Sequence, residues 1–190
     1  MHILCVARAI CDPLAANSRP ETDKHLKIAL HRSKIHGNGV AVIKPLKKGE
    51  EIVEYTGKIR THDAVDDDYG DKDDGHTFLF TLNDEFVIDG NIHGNIARWI
   101  NHGCDPNCEA FIVEDPEGDK RKDRVVICAK RNIIVGEELT YDYDIEVDEA
   151  ITPEEKKLWA CRCGAPNCKG TMLTWKDEAI ATRPEEYLAA

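Results

Sequence analysis

The chain has 190 residues, 42% of them apolar, and a formal net charge of −11 at pH 7. That length suits one domain with short appendages, and no apolar run approaches the ~20 residues that span a bilayer. The excess of acid argues against a non-specific grip on nucleic acid, which needs Lys and Arg against phosphate; it suits a basic protein or peptide partner, and equally a role in solubility alone.

The stretch His2-Ile3-Leu4-Cys5-Val6-Ala7-Arg8 is too short and too interrupted for a secretion signal, so the expectation is a soluble, intracellular protein. Its eight cysteines would pair only in an oxidising compartment; in a reducing one, clustered thiols read as metal ligands. Residues 1–25 show no period, and Pro13, Asn17, Ser18 and Pro20 mark a loosely structured arm. Residues 26–30 alternate like a short strand. His36-Gly37-Asn38-Gly39 leads into a second strand at 40–43. Its paired glycines allow either close approach to a ligand or a tight turn. This is not the dinucleotide fingerprint, which needs a strand before it and a helix after.

Residues 51–55 read as a strand ending at Gly57. A very acidic insert at 63–76 reads as a solvated loop, with the sharper alternative of an anionic wall that steers a lysine-rich peptide. Residues 77–82 and 86–88 read as a hairpin around Asn83-Asp84. One or two helical turns fit 94–100. Strands are expected at 110–113 and 125–129, a strand-turn-strand passage at 133–139, a short helix at 153–160, and helix again at 177–188. Many short strands and few helices point to a mainly β fold.

Three groups carry chemistry. Arg98-Trp99-Ile100-Asn101-His102-Gly103-Cys104-Asp105-Pro106-Asn107-Cys108 gathers an amide, an imidazole and two thiols on backbone that is not a regular element. It reads as a metal knuckle, a cysteine nucleophile beside a histidine, a ligand-binding loop or an ordinary turn. Cys161-x-Cys163-x4-Cys168 supplies three thiolates for tetrahedral zinc, and a fourth must come from elsewhere. Tyr141 and Tyr143 follow Gly136-Glu137-Glu138-Leu139-Thr140; aromatic residues in strands normally pack the core.

Taken in this order, with Gly37-Asn38-Gly39-Val40 and Glu54-Tyr55-Thr56-Gly57, these segments resemble the SET-domain protein lysine methyltransferases over residues 26–173. Two positions depart from the usual motif: Trp99 stands for Phe, which keeps an apolar ring, and Gly103 stands for Ser, which deletes a hydroxyl and loosens the backbone. Lys58 stands where an acidic residue is common. The resemblance implies a mainly β, β-clip SET fold with a few short helices, a knot-like crossing of segments and a C-terminal post-SET zinc cluster. The division would be an arm at 1–25, a SET domain at 26–145 with a variable acidic insert at about 60–77, a post-SET segment at 157–175 and a tail at 176–190. S-adenosylmethionine would be held by Gly37, Asn38, Gly39, Val40, Tyr69, Arg98, Asn101 and His102. Tyr143 would face the transferring methyl, with Tyr141, Phe78 and Tyr55 walling a channel for the lysine stem. Among candidates for the fourth zinc thiolate, the resemblance selects Cys104 over the nearby Cys108.

The expected activity is protein-lysine N-methylation of a basic, histone-like protein, in the nucleus if the cell is eukaryotic and in the cytoplasm if bacterial. No direct nucleic-acid or membrane binding is expected. The alternative is a catalytically weak SET-like module that binds peptides or scaffolds a complex. A cysteine hydrolase built on Cys104 and His102 is disfavoured, because neighbouring loop residues rarely point at each other and a zinc-bound thiolate is not free to attack.

Overall fold

A computed structural model describes residues 9–10, 27–70, 75, 77–147 and 149–175. In chain order, β1 (Ala9–Ile10), β2 (Ile28–Arg32), β3 (Asn38–Val42), β4 (Glu51–Tyr55) and β5 (Lys58–Thr61) lead into α1 (His62–Tyr69). Next come β6 (Leu79–Thr81), β7 (Phe86–Asp89), β8 (Asn101–His102), β9 (Cys108–Val113), β10 (Arg124–Ala129), β11 (Thr140–Tyr141) and β12 (Ile145–Val147). The order closes with α2 (Pro153–Leu158) and β13 (Leu173–Trp175). The helix expected at 177–188 lies outside the described residues, as do Asp71, Asp73 and Asp74 of the acidic insert.

The strands form several small sheets: a four-stranded sheet ordered β1-β9-β10-β4, a three-stranded sheet β5-β7-β6, and the pairs β2-β3, β8-β11 and β12-β13. β10 is buried from Val125 to Ala129, as a strand covered on both faces must be. β6 and β7 form the expected hairpin. Its turn works without Asn-Gly because Asn83 Oδ1 accepts the backbone N–H groups of Glu85 and Phe86, both at 3.0 Å, replacing backbone turn bonds with side-chain ones. Phe80, Leu82, Ile127 and Ile133 are fully buried in the common core, each contributing about 1.5–3 kcal/mol.

Three expectations need correction. The first half of the acidic insert is α1 and not a loop. Thr61 caps it, its Oγ1 accepting the Ala64 N–H at 3.3 Å, and Val65 is buried beneath it. Arg60 ties it down, donating to the Ala64 carbonyl at 2.7 Å, to the Asp68 carboxylate, and to buried Asp89 at 3.3 Å. One apolar anchor among aspartates leaves no readable helical period. Residues 133–139 are not strands: Leu46 and Ile133 exchange backbone hydrogen bonds at 3.0 Å, after which the chain turns at Gly136, whose φ of 89° suits glycine. The 1–25 arm is not wholly irregular, since β1 adds a parallel edge to β9.

β8 is what positions the site. Asn95 caps the 3-10 turn Ile96–Trp99 and donates its amide to the Glu54 carbonyl at 2.7 Å. β8 then runs parallel to β11, pairing Asn101 with Thr140 and His102 with Tyr141. The parallel pair β12-β13 brings the chain after α2 back against this centre. No helix among the described residues is long and apolar enough to cross a membrane.

Candidate functional site

Asn101 is buried, and its amide nitrogen reaches three acceptors. Nδ2 donates to the His36 carbonyl at 3.2 Å, the Asn38 carbonyl at 2.9 Å and Glu138 Oε1 at 3.0 Å. It thereby clasps the Gly37 loop to the β8-β11 centre. Gly37 takes a φ of 48°, in the left-handed region that favours glycine. Glu138 completes the clasp: the same Oε1 accepts the Ser33 hydroxyl at 2.6 Å, and Oε2 lies 3.3 Å from His31 Nε2. A Cβ at Gly39 would stand 2.5 Å from Glu138 Oε1, so any larger residue there would have to displace a carboxylate held by Ser33 and Asn101.

Two cavities, of about 130 and 120 Å³, meet at this clasp and share His36, Asn101 and Tyr143 in their walls. The first is closed by Leu158, Trp159, Ala160, Cys161 and Met172 from the C-terminal part of the chain. The second is walled by Arg32, Gly37, Asn38, Phe78, Arg98 and Trp99. Phe78 and Trp99 meet edge to face at 5.0 Å, and the Arg98 guanidinium lies 5.1 and 4.6 Å from their ring centres. Arg98 is held there by donating to the Gly90 carbonyl at 2.9 Å. This part of the wall is therefore aromatic, with the Arg98 cation fixed against it.

Tyr143 stands where the cavities join. Its hydroxyl donates to the Ile100 carbonyl at 2.8 Å, its N–H donates to His102 Nδ1 at 3.1 Å, and its ring lies 4.9 Å from that of Tyr141. With its hydroxyl proton given to Ile100, the oxygen has only lone pairs to offer other groups. Tyr141 is buried behind it, 6.1 Å from Phe80. Tyr55 is also buried; its hydroxyl donates to the Phe78 carbonyl at 2.8 Å, so it supports the wall from one layer back.

The second group is thiol. One sulfur each from Cys104, Cys161, Cys163 and Cys168 gather within 4.8 Å of one another, with Cys104 Sγ 3.7 Å from Cys161 Sγ and 4.0 Å from Cys168 Sγ. A tetrahedral zinc with bonds of ~2.3 Å requires sulfur separations of about 3.8 Å, so the donor set fits. Burial pushes the Cys104 and Cys161 thiols up. Burial also opposes ionisation of Cys163, but backbone N–H groups from Cys104 and Ala165 and its thiol neighbours outweigh it, bringing that thiol down to about 7. Cys108 is elsewhere, buried in β9 with its S–H on Asn107 Oδ1, and burial pushes its pKa up to about 12. Of the two candidates, Cys104 stands with the other three thiols and Cys108 does not.

The expectation that His102 and Cys104 would not face each other is wrong: His102 Nε2 lies 3.4 Å from Cys104 Sγ. Residues two apart on extended backbone share a face. This is still no hydrolytic dyad. Nδ1 accepts the Tyr143 N–H, so the proton sits on Nε2, and a nitrogen that already carries a proton cannot draw one from the thiol. Nor is Gly103 loose. Its N–H donates to the Tyr141 carbonyl at 3.1 Å, and a Cβ there would meet Thr140 Oγ1 at 2.8 Å.

Of the cofactor residues expected from sequence, Gly37, Asn38, Arg98, Asn101 and His102 line one or both cavities. Gly39 and Val40 lie in β3 just behind. Tyr69 lines neither cavity; its hydroxyl donates to Asp89 Oδ2 at 3.1 Å and its ring packs on Arg60. Sequence reasoning missed Glu138, Arg32, Trp159 and Met172. The signal for Trp159 was an apolar aromatic two residues before a metal-ligand run; Glu138 and Arg32 sit among other charges with nothing local to distinguish them.

A family model described as SET domain matches residues 37–144, more than half of the chain. The chain is 40% identical over 148 residues to histone-lysine N-methyltransferase trr of Drosophila melanogaster. It is 41% identical over 141 residues to the H3 lysine-4 specific histone-lysine N-methyltransferase of Schizosaccharomyces pombe, and 37% identical over 155 residues to histone-lysine N-methyltransferase 2B of Homo sapiens. These matches cover 76%, 73% and 77% of this chain but only 6%, 14% and 5% of the relatives' own lengths. Among solved structures it is similar to KRYPTONITE in complex with mCHG DNA and SAH, with a TM-score of 0.63, 32% identity, and coverage of 78% of this chain and 29% of that one. The polycomb repressive complex 2 of Chaetomium thermophilum matches with a TM-score of 0.55 at 30% identity, over 62% of this chain and 15% of that one.

Proposed function

The chain belongs to the SET-domain family, and on that premise we propose that it transfers a methyl group from S-adenosylmethionine to a lysine side chain of a basic, histone-like protein. Residues 26–145 form the SET domain and 157–175 the post-SET segment in this reading, and a histone substrate would assign the activity to a nucleus. The observation that supports it most is Tyr143, which lines both cavities beside Asn101 with its hydroxyl proton given to the Ile100 carbonyl.

S-adenosylmethionine, when bound, supplies a methyl group activated by a sulfonium. Asn101 and the backbone of the Gly37 loop hold one side of the donor pocket, and Trp159 and Met172 close the other. Arg98 offers a fixed guanidinium to a carboxylate. Tyr143 would offer its oxygen lone pairs to a methyl carbon held in the pocket, favouring the charge that develops there. Phe78 and Trp99 guide an apolar stem and exclude water, so the remaining barrier is lowered mainly by positioning. A lysine ammonium with an ordinary pKa of about 10.4 must lose its proton before it can attack. The apolar wall and nearby positive charge disfavour the charged form. Cys104, Cys161, Cys163 and Cys168 would hold a structural zinc that fixes the C-terminal wall over the first cavity.

Labelled-methyl transfer to histones and to a cell lysate tests the reading. Tyr143→Phe is expected to lower turnover by about 10²-fold, the scale for one electrostatic contact to the transition state, with donor affinity retained. A variant that methylates at the native rate removes Tyr143 from the mechanism. A wild-type protein that binds donor and peptide but transfers nothing removes the activity itself.

A further inference from the structure

We propose that His102 is a hydrogen-bond bridge from the thiolate cluster to Tyr143, so that the metal in the post-SET site sets the position of the catalytic tyrosine through one imidazole ring. This rests on the zinc reading above and extends it from the ligands to the residue behind them.

The argument begins with the proton on the ring. Tyr143 N–H is a fixed backbone donor 3.1 Å from His102 Nδ1. An imidazolium, or the Nδ1–H tautomer, would set hydrogen against hydrogen there. Nδ1 therefore carries a lone pair, and the single ring proton is on Nε2. Nε2 points at Cys104 Sγ, 3.4 Å away, within ordinary reach for an N–H···S bond.

The competing partner for Nδ1 is Asp142, whose Oδ1 lies 3.5 Å away. That oxygen already accepts the Asp144 N–H at 3.1 Å, and Lys169 Nζ stands 3.6 Å from its neighbour Oδ2. The shorter contact with a fixed donor decides the tautomer. Lys169 N–H also donates to Cys104 Sγ, at 3.4 Å, so this sulfur collects two N–H donors, which suits a thiolate that shares its charge with a metal. The ring itself has no slack: it is buried and meets Tyr143 edge to face at 5.4 Å.

Groups behind metal ligands commonly change metal affinity by 10–100-fold when removed. Here the same group also fixes the backbone of Tyr143. Metal occupancy at a cluster formed largely by residues 161–168 is thus transmitted to a tyrosine that lines both cavities.

Nitrogen-labelled wild-type protein, loaded with NMR-active cadmium in place of zinc, tests this without any substitution. The expected result is a His102 ring protonated at Nε2 only, with a scalar correlation from that proton to cadmium through Cys104. Correlations from the cysteine β-protons to cadmium, with a ring protonated at Nδ1 or silent toward the metal, overturn the bridge and leave the zinc reading standing. Loss of both sets of correlations overturns the zinc reading and the bridge with it. A second measurement uses His102→Phe, which keeps a flat ring without its nitrogens: zinc affinity by chelator competition should fall at least tenfold, and a folded variant with wild-type zinc affinity overturns the proposal.

Discussion

Glu138 offers the sharpest test of how the donor side of the site is held. Its carboxylate accepts from Ser33 at 2.6 Å and Asn101 at 3.0 Å, lies 3.3 Å from His31 Nε2, and is 17% exposed. Hydrogen bonds to a charged acceptor contribute about 1.5–3 kcal/mol each. Glu138→Ala removes two of them, while the Asn101 amide keeps the His36 and Asn38 carbonyls and water can enter the gap. The net loss is therefore about 2–3 kcal/mol, read as a lower urea midpoint at unchanged slope. If half of that is felt in the donor-bound state, donor affinity falls roughly tenfold. Glu138→Gln keeps one acceptor and most of the volume, and should cost about 1 kcal/mol. Gly39→Ala should also destabilise, because its Cβ would meet Glu138 Oε1 at 2.5 Å. In the Glu138→Ala background that penalty should shrink, with the contacts to Glu138 gone and the His31 contact at 3.0 Å kept, giving the pair a clear coupling energy. Glu138→Ala protein with wild-type stability and donor affinity would refute the clasp.

Other outcomes follow from the same geometry. Cys163→Ser should abolish stoichiometric zinc and make residues 157–175 sensitive to protease, while Cys108→Ser should keep zinc; zinc retained in the first variant and lost in the second would reassign the ligands. Glu137 is held below its ordinary carboxylate range by Arg131, which donates to both of its oxygens at 3.2 and 2.6 Å. A lowered folded pKa stabilises above the unfolded value of ~4.3 and is lost as pH falls through the folded one. Glu137→Gln should therefore flatten the acid limb of the stability curve, by no more than about 1 kcal/mol because the pair faces solvent; an unchanged limb removes this pair from acid unfolding. Replacing Asp63 and Asp67 of α1 with Asn should raise KM for Lys/Arg-rich peptides at low salt and do nothing at high salt. Equal KM values at low salt would leave the acidic helix as a solvated face.

The sequence alone determined the class of the fold and the chemistry of its parts. Short apolar, β-branched and aromatic runs between turn residues marked β4, the β6-β7 hairpin, β9 and β10, because such side chains suit a covered pleated strand. The Cys161-x-Cys163-x4-Cys168 spacing marked three ligands, because neighbouring residues reach one ion only at short separations. Tertiary structure decided the partners. Nothing local distinguishes Glu138 from Glu137, yet one clasps Asn101 and the other meets Arg131 at the surface. Cys104 joins the cluster while Cys108, four residues on, is buried in a strand. Tyr143 lines the cavities, and Tyr141 and Tyr55 stand behind the walls. Periodicity records that a side chain is covered and is silent on what covers it. The pairings of Glu138 with Asn101, Cys104 with Cys168 and Tyr143 with His102 span 37, 64 and 41 residues of chain, where only the folded backbone brings the partners together.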